Sequence, residues 1–337
     1  MNWLGLDIGG AHLKLADGCG GAWVRSFPLW RQPEELADRL RDMTQAFADR
    51  GSLAVTMTGE LADCFSTKAD GVRQIVAAAC RAAGRREVRV YLVDGRLVAP
   101  ELAVARPSLA AASNWHALAR FAARLGSGRR DLLIDVGSTT CDIVPLVNGQ
   151  PAGQGRSDTE RLICGELVYT GMERTPVCAV VATLPFGGQD CPVAGEWFAT
   201  TRDAYLLLGA VSEDPTCRDT ADGRPATRDA ARGRLARMIC ADPADFSEAD
   251  ALAAAQAVAD AQRDILVAAL RRVLDRLRDP PECVILSGHG DFLARPALAR
   301  LAVSSRIVSL AEQLGVAVAR CAPAHAVAVL AHEAAPR

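Results

Sequence analysis

The chain has 337 residues, half of them hydrophobic and under a quarter charged, with a formal net charge of -2. That length passes the roughly 250–300 residues at which a single core stops growing, so two lobes or a core with insertions are expected. The near-neutral balance gives no general pull towards nucleic acid or an anionic membrane, and aromatics at 5% weaken a base-stacking role further.

Trp3 to Ile8 reads as a short buried strand, His12 to Ala16 as a second and Ala22 to Phe27 as a third, separated by glycine-rich turns. Pro33-Glu34-Glu35 opens a helix that keeps Leu36, Leu40, Met43 and Phe47 on one face. Leu53 to Met57 is a strand, Val72 to Cys80 marks a helix, Val88 to Val93 a strand and Leu109 to Leu125 a further helix. The order is β-β-β-α-β-α-β-α. A second series starts at Asp131 with strands at Leu132–Val136, Cys141–Leu146 and near Gln150. It resumes with a long helix from about Glu248 to Arg278, a strand at Cys283–Leu286, a helix near Leu293–Leu301, a strand at Ile307–Leu310 and a last helix from Pro323. The predicted division is a first lobe over 1–127 and a second over 128–337, with an inserted substrate or flap region at about 155–247.

The start of the chain has no signal-peptide pattern, and no stretch approaches the roughly 18 uninterrupted apolar residues of a membrane span. Eleven cysteines are dispersed without a C-x-x-C pair, which fits reduced thiols in a cytoplasmic protein. Cys178, Cys191 and Cys217 lack the spacing of a metal site.

The two halves repeat in their residues. Leu6-Asp7-Ile8-Gly9-Gly10 matches Ile134-Asp135-Val136-Gly137-Ser138, and seven positions after each aspartate stands a charged residue, Lys14 or Asp142. A duplicated unit with an Asp-x-Gly turn after its first strand resembles the actin/hexokinase/sugar-kinase superfamily. The expected fold is therefore α/β, a two-lobed actin-like ATPase (ribonuclease H-like, duplicated) fold with an insertion in the second lobe.

Such loops suit phosphate. Gly9, Gly10 and Gly137 let backbone N–H groups approach anionic oxygens, and Ser138 and Thr139 add hydroxyl donors. Lys14 offers a cation. Asp7, Asp135 and Asp142 are the candidate ligands of a Mg²⁺ ion that offsets their repulsion of phosphate. Ser287-Gly288-His289-Gly290 is a third glycine-rich turn, which the superfamily resemblance places at the nucleotide wall of the cleft.

Further segments are more specific: Met57-Thr58-Gly59-Glu60-Leu61-Ala62-Asp63-Cys64-Phe65, Leu162 to Gly171, Arg174-Thr175-Pro176-Val177-Cys178, Thr220 to Arg228 and Cys321 to Ala326. Together with Leu4 to Lys14 they resemble the hydantoinase/oxoprolinase-like proteins of the tetrahydromethanopterin-linked C1 pathway, a group similar to a synthase of archaeal methanofuran biosynthesis. The resemblance implies a transferase that forms an aryl furfuryl ether. The phenol of a tyramine- or tyrosine-type acceptor, free or γ-glutamylated, displaces pyrophosphate from 5-(aminomethyl)-3-furanmethanol diphosphate. A carboxylate speeds such a step by taking the phenol proton, and Glu60, Asp63 and Glu166 are the candidate bases. Lys68 and Arg174 are candidate diphosphate partners. The arginine-rich stretch Asp219 to Arg237 reads as a flap able to close on an anion, or as a solvated loop. Asn114 is a candidate cleft residue beside a core Trp115.

Two other readings stay open: an ATP-dependent kinase or ATPase, in which ATP binds the same loops, and a non-catalytic nucleotide-binding regulator. A 5-oxoprolinase or hydantoinase activity ranks lower, because those activities generally need longer chains or a partner subunit. Partners are expected to be small molecules, with no nucleic acid and no membrane, and a homodimer is the base-rate assembly.

Overall fold

A computed structural model describes residues 3–47 and 51–334. The first lobe opens with a meander of β1 (Trp3–Ile8), β2 (His12–Ala16) and β3 (Ala22–Ser26). α1 (Leu36–Gln45), β4 (Ser52–Met57), α2 (Lys68–Ala83), β5 (Val88–Tyr91), β6 (Leu97–Val98), α3 (Pro100–Ala105), α4 (Pro107–Ala110) and α5 (Asn114–Ala122) follow. The sheet runs β3-β2-β1-β4-β5-β6, with β1, β4 and β5 parallel. Every residue of β1 is buried, because helices cover both faces of the sheet. Leu4, Leu6 and Ile8 pack with α1 and α2, while Trp3 on the alternate face packs with Val327, Leu330 and Ala331 near the end of the chain.

The second lobe repeats this plan with β7 (Arg130–Val136), β8 (Cys141–Val147) and β9 (Gln150–Pro151), then α6 (Asp158–Cys164) and β10 (Leu167–Val168). An inserted unit holds the hairpin β11 (Thr183–Phe186) and β12 (Gln189–Pro192), then α7 (Thr201–Leu207) and α8 (Arg228–Met238). The chain returns through α9 (Glu248–Leu274), β13 (Cys283–Gly288), α10 (Asp291–Arg300), β14 (Arg306–Ser309), α11 (Leu310–Leu314), α12 (Val316–Arg320) and α13 (Ala322–Ala334). The second sheet runs β10-β8-β7-β13-β14, with β9 also on β8. Both sheets share one plan, in which an antiparallel hairpin is extended by parallel strands. α9 begins at a capping box: the Ser247 side chain accepts from the Asp250 N–H, and the Asp250 carboxylate accepts from the Ser247 N–H.

Four features differ from the sequence-based expectation. The third strand of the second lobe is split, since β9 and β10 both pair with β8 and α6 lies between them. The helix expected over Leu109–Leu125 is broken between α4 and α5, where Ala112 takes a left-handed φ of 47°. The last helix packs mainly on the first lobe, although its Ala322 and Ala326 also join a core with Leu133 and Ile285 of the second. α13 lies on the first sheet so closely that a Cβ on Gly5 would fall 1.9 Å from the Ala324 carbonyl oxygen. Conversely, α5 buries Leu118 and Phe121 with Leu133, Leu146 and Ile285 of the second lobe, so the two helices cross between the lobes.

The fourth difference concerns the Asp219–Arg237 stretch, which is not a free flap. Arg234 is fully buried, donates to Asp203 and Asp222, and is part of α8. Arg232 donates to the Pro243 and Phe246 carbonyls, and Arg228 to that of Leu207. These arginines staple an inserted unit with its own core, built around Leu206, Leu235, Phe246 and Val258. Among the described residues, no helix is long and apolar enough to cross a membrane.

Candidate active site

The paired loops are the same structure twice. Gly9 N–H donates to the His12 carbonyl at 3.0 Å, and Gly137 N–H donates to that of Thr140 at 2.9 Å. Asp7 stands opposite Lys14 on β1 and β2, and Asp135 stands opposite Asp142 on β7 and β8. Gly10 has open space where a side chain would be, while Gly9 has the His12 carbonyl 3.0 Å from that point. The carbonyls of the second loop are occupied from behind: Met172 N–H donates to Gly137 at 3.1 Å, and the Glu173 and Arg174 N–H groups both donate to Ser138 at 3.0 Å. This strap also explains Gly171, where a Cβ would lie 2.6 Å from Ser138 C and Thr139 N.

A cleft of about 650 Å³ opens between the two loops. It brings together Asp7, Gly9, Gly10, Lys14, Asp63, Asp135, Gly137, Ser138, Thr139, Asp142 and Arg174, and Asn114 with them. Lys14 Nζ lies 3.4 Å from Asp7 Oδ2. Burial raises the Asp7 carboxyl, with Lys14 opposing, and Asp7 Oδ1 is buried without a partner. Burial and the neighbouring Asp142 push Asp135 up to about 6, against the pull of Ser287 and Lys14.

The second copy has an aspartate where the first has Lys14, and α6 brings the missing cation. Arg161 is fully buried, donates through Nη1 to Asp142 Oδ1 at 2.8 Å and through Nη2 to the Glu166 carbonyl at 2.9 Å. Its guanidinium also sits 4.1 Å from the centre of the Trp115 ring. Asp142 is thereby committed to an ion pair. Asp7, through the Oδ1 that Lys14 leaves unpaired, and Asp135 are the carboxylates that could hold a Mg²⁺ ion, which takes one or two carboxylates and completes its shell with water and phosphate. Among the described residues there is no group of three or more His, Cys, Asp or Glu side chains arranged around a metal position.

Other expected site residues lie elsewhere. Lys68 is paired with Asp158 across the lobes at 2.9 Å, and Asp158, not Lys68, lines the cleft. Glu166 points away from the role of a base: its carboxylate accepts from the Gln154 and Gly155 N–H groups at 2.8 and 3.1 Å and from Arg276 at 3.0 Å. A carboxylate with three donors is a structural anchor. Ser287, Gly288, His289 and Gly290 pack behind the second loop and are not on the cleft lining. Gly288 has φ 85°, and a Cβ there would lie 2.1 Å from the Val136 carbonyl oxygen, so the glycine serves close packing of strand ends. His289 Nε2 instead faces Glu173 Oε1 at 3.4 Å. Burial raises the Glu173 carboxyl, but His289, Arg202 and His12 outweigh it and bring it to about 2.

Glu60 is buried just behind the lining. Neither of its oxygens has a hydrogen-bond partner, and burial raises the carboxyl to about 7. Nearby Asp158 adds to that rise and Lys68 opposes it. Ala112, Asp158 and the adjoining Leu61 all line the cleft.

Sequence reasoning missed His12, Trp30, Arg31, Asp158, Arg161, Tyr169 and Trp197, all of which line the cleft. Burial brings His12 down to about 4, despite Glu173 nearby, so its ring is neutral at pH 7. The rarity of tryptophan in the chain was the one available signal for Trp30 and Trp197.

Duplicated hairpins facing one cleft, with crossing helices between two α/β lobes, define a two-lobed actin-like fold. The chain belongs to the hydantoinase/oxoprolinase family, which matches residues 52–333. It is 31% identical over 332 residues to the (4-{4-[2-(γ-L-glutamylamino)ethyl]phenoxymethyl}furan-2-yl)methanamine synthase of Methanocaldococcus jannaschii, covering 97% of this chain and 96% of that one. A protein of the same name from Methanococcus vannielii is 30% identical over 203 residues, 59% of this chain and 89% of its own. Among solved structures, the nucleotide-free form of an ATP-dependent acetone carboxylase shares the fold with a TM-score of 0.54 at 12% identity, covering 97% of this chain and 70% of that one.

Proposed function

We propose that this chain is a transferase that forms an aryl furfuryl ether in the biosynthesis of a methanofuran-type cofactor. The observation that carries the reading is the end-to-end relation to the Methanocaldococcus jannaschii synthase, whose name describes a phenoxymethyl-furan product. The donor is 5-(aminomethyl)-3-furanmethanol diphosphate and the acceptor a tyramine- or tyrosine-type phenol. The bond from the furfuryl carbon to the diphosphate oxygen breaks, the phenol oxygen bonds to that carbon, and pyrophosphate leaves.

The cleft supports the phosphate part of that step, and the carboxylates on it and just behind it support the proton transfer. The backbone N–H groups of Gly10, Ser138 and Thr139, which have no backbone acceptor among the described residues, receive with Lys14 the charge gathering on the leaving group. Asp7 and Asp135 are the residues that would hold Mg²⁺, which when bound supplies further positive charge to the phosphate oxygens. Glu60 takes the phenol proton. A carboxyl near 7 is about half ionised at neutral pH and is a stronger base than an ordinary glutamate, which suits a phenol with a pKa of about 10. Asp63, on the lining itself, is the second candidate base.

The test is a pyrophosphate assay with the furan diphosphate, Mg²⁺ and tyramine, tyrosine or γ-glutamyltyramine in turn, in the absence of ATP. Pyrophosphate and the ether product should appear in equal amounts. Intact, folded protein that releases no pyrophosphate would refute the reading, and ADP formation from ATP with the acceptor alone would favour a kinase.

A further inference from the structure

The chain has five tryptophans and three tyrosines, yet Trp30, Trp115, Trp197 and Tyr169 all line the one cleft. Two of these rings are already covered by arginines. Arg161 lies 4.1 Å from the Trp115 ring centre, and Arg174 lies 5.0 Å from that of Trp30. The other two are open: Tyr169 is 57% exposed and Trp197 51% exposed. Among the described residues, neither of these two rings has an aromatic or cationic partner.

The two open rings come from different parts of the fold. Tyr169 directly follows β10 at the edge of the second sheet, and Trp197 stands in the inserted unit just before α7. Neither belongs to the phosphate loops. Rings left half-exposed inside a cleft rich in charges present apolar faces that water solvates poorly, and such faces suit a flat apolar group. The donor's furan is tied to its diphosphate by one carbon and so stays beside the loops. Trp115 is the ring linked to them, through Arg161 and Asp142. The acceptor's phenyl ring has no such tether and needs its own seat.

We propose that Tyr169 and Trp197 form the acceptor subsite, packing against the phenyl ring of the phenolic substrate while the diphosphate sits on the paired loops. The assignment of the ligand rests on the transferase reading above. It makes the insertion a specificity element, because the insertion carries Trp197.

Steady-state kinetics of Trp197→Ala and Tyr169→Leu, followed by pyrophosphate release with tyramine varied, tests the assignment. The KM for tyramine should rise about tenfold in each variant, while the KM for the diphosphate donor moves less than about twofold. Trp197→Phe and Tyr169→Phe should restore most of the loss. An unchanged tyramine KM, or a parallel rise for both substrates, overturns the subsite. Calorimetric binding of tyramine to the wild-type protein without donor separates this from the reaction itself. If no pyrophosphate is ever released but tyramine binds and Trp197→Ala weakens it, the transferase reading falls and the aromatic seat stands. If neither tyramine nor γ-glutamyltyramine binds the folded wild type, the seat falls.

Discussion

Glu60 combines full burial with two oxygens that lack partners, a state that folding alone does not favour. Its folded pKa of about 7 lies above the ordinary 4.5, so the carboxyl is neutral in acid and is forced to ionise in place as pH rises. Stability is therefore undiminished below pH 4.5, falls between 4.5 and about 7, and stays reduced above that, by about 3 kcal/mol for a shift of this size. Glu60→Gln should melt higher than wild type at pH 8 and nearly level with it at pH 4.5, as thermal unfolding at the two values would reveal. The same substitution should lower kcat/KM by about 10²–10⁴-fold and remove a rise in rate through about pH 7, whereas Asp63→Asn should leave that rise in place. Arg161→Met leaves Asp142 buried without its cation and should cost about 3–5 kcal/mol in denaturant unfolding. Residues at strand ends, such as Asp7 and Asp135, were legible because strand and turn fix their place. Arg161 was not, because its partner Asp142 is 19 positions away and nothing local marks the pair.

Among the elements, the first-lobe hairpins and the 27-residue α9 were readable, since alternation, glycine turns and caps lie within each segment. The break between α4 and α5 was hidden because an alanine, not a glycine, takes the left-handed turn at Ala112. The strand split by α6 was hidden too, since β9 and β10 are two residues each and carry no period. The tightest junction between elements is β1 against α13. Gly5→Ala places a methyl group 1.9 Å from the Ala324 carbonyl oxygen, backbone that cannot rotate away, so α13 must lift. We expect a loss of about 1–3 kcal/mol or more and faster amide exchange along α13, measurable by hydrogen–deuterium exchange.

At the scale of the molecule, the duplication was legible from two five-residue motifs, and the shared cleft followed from it. The crossing of α5 and α13 was not, because which sheet a helix covers depends on packing that no single helix sequence states. A cleft whose two walls come from different lobes should be stabilised by a ligand that touches both. Magnesium pyrophosphate at 100 times its Kd should raise stability by about 2.7 kcal/mol, read as a higher melting temperature, and Asp135→Asn should abolish the shift. Retention of the full shift in that variant would remove Asp135 from the phosphate site.

The placement of α13 also bears on how the protein is made. β1 begins at Trp3, but the helix that covers its alternate face begins at Ala322, so the whole stretch between them must be synthesised before the first sheet can be finished. Trp3, Ala54 and Tyr91 stay uncovered by α13 on the ribosome while the rest of the chain emerges. Residues 1–127 produced alone should therefore stay associated with chaperones or aggregate. Adding residues 322–334 as a separate peptide should rescue their solubility if α13 is the missing cover.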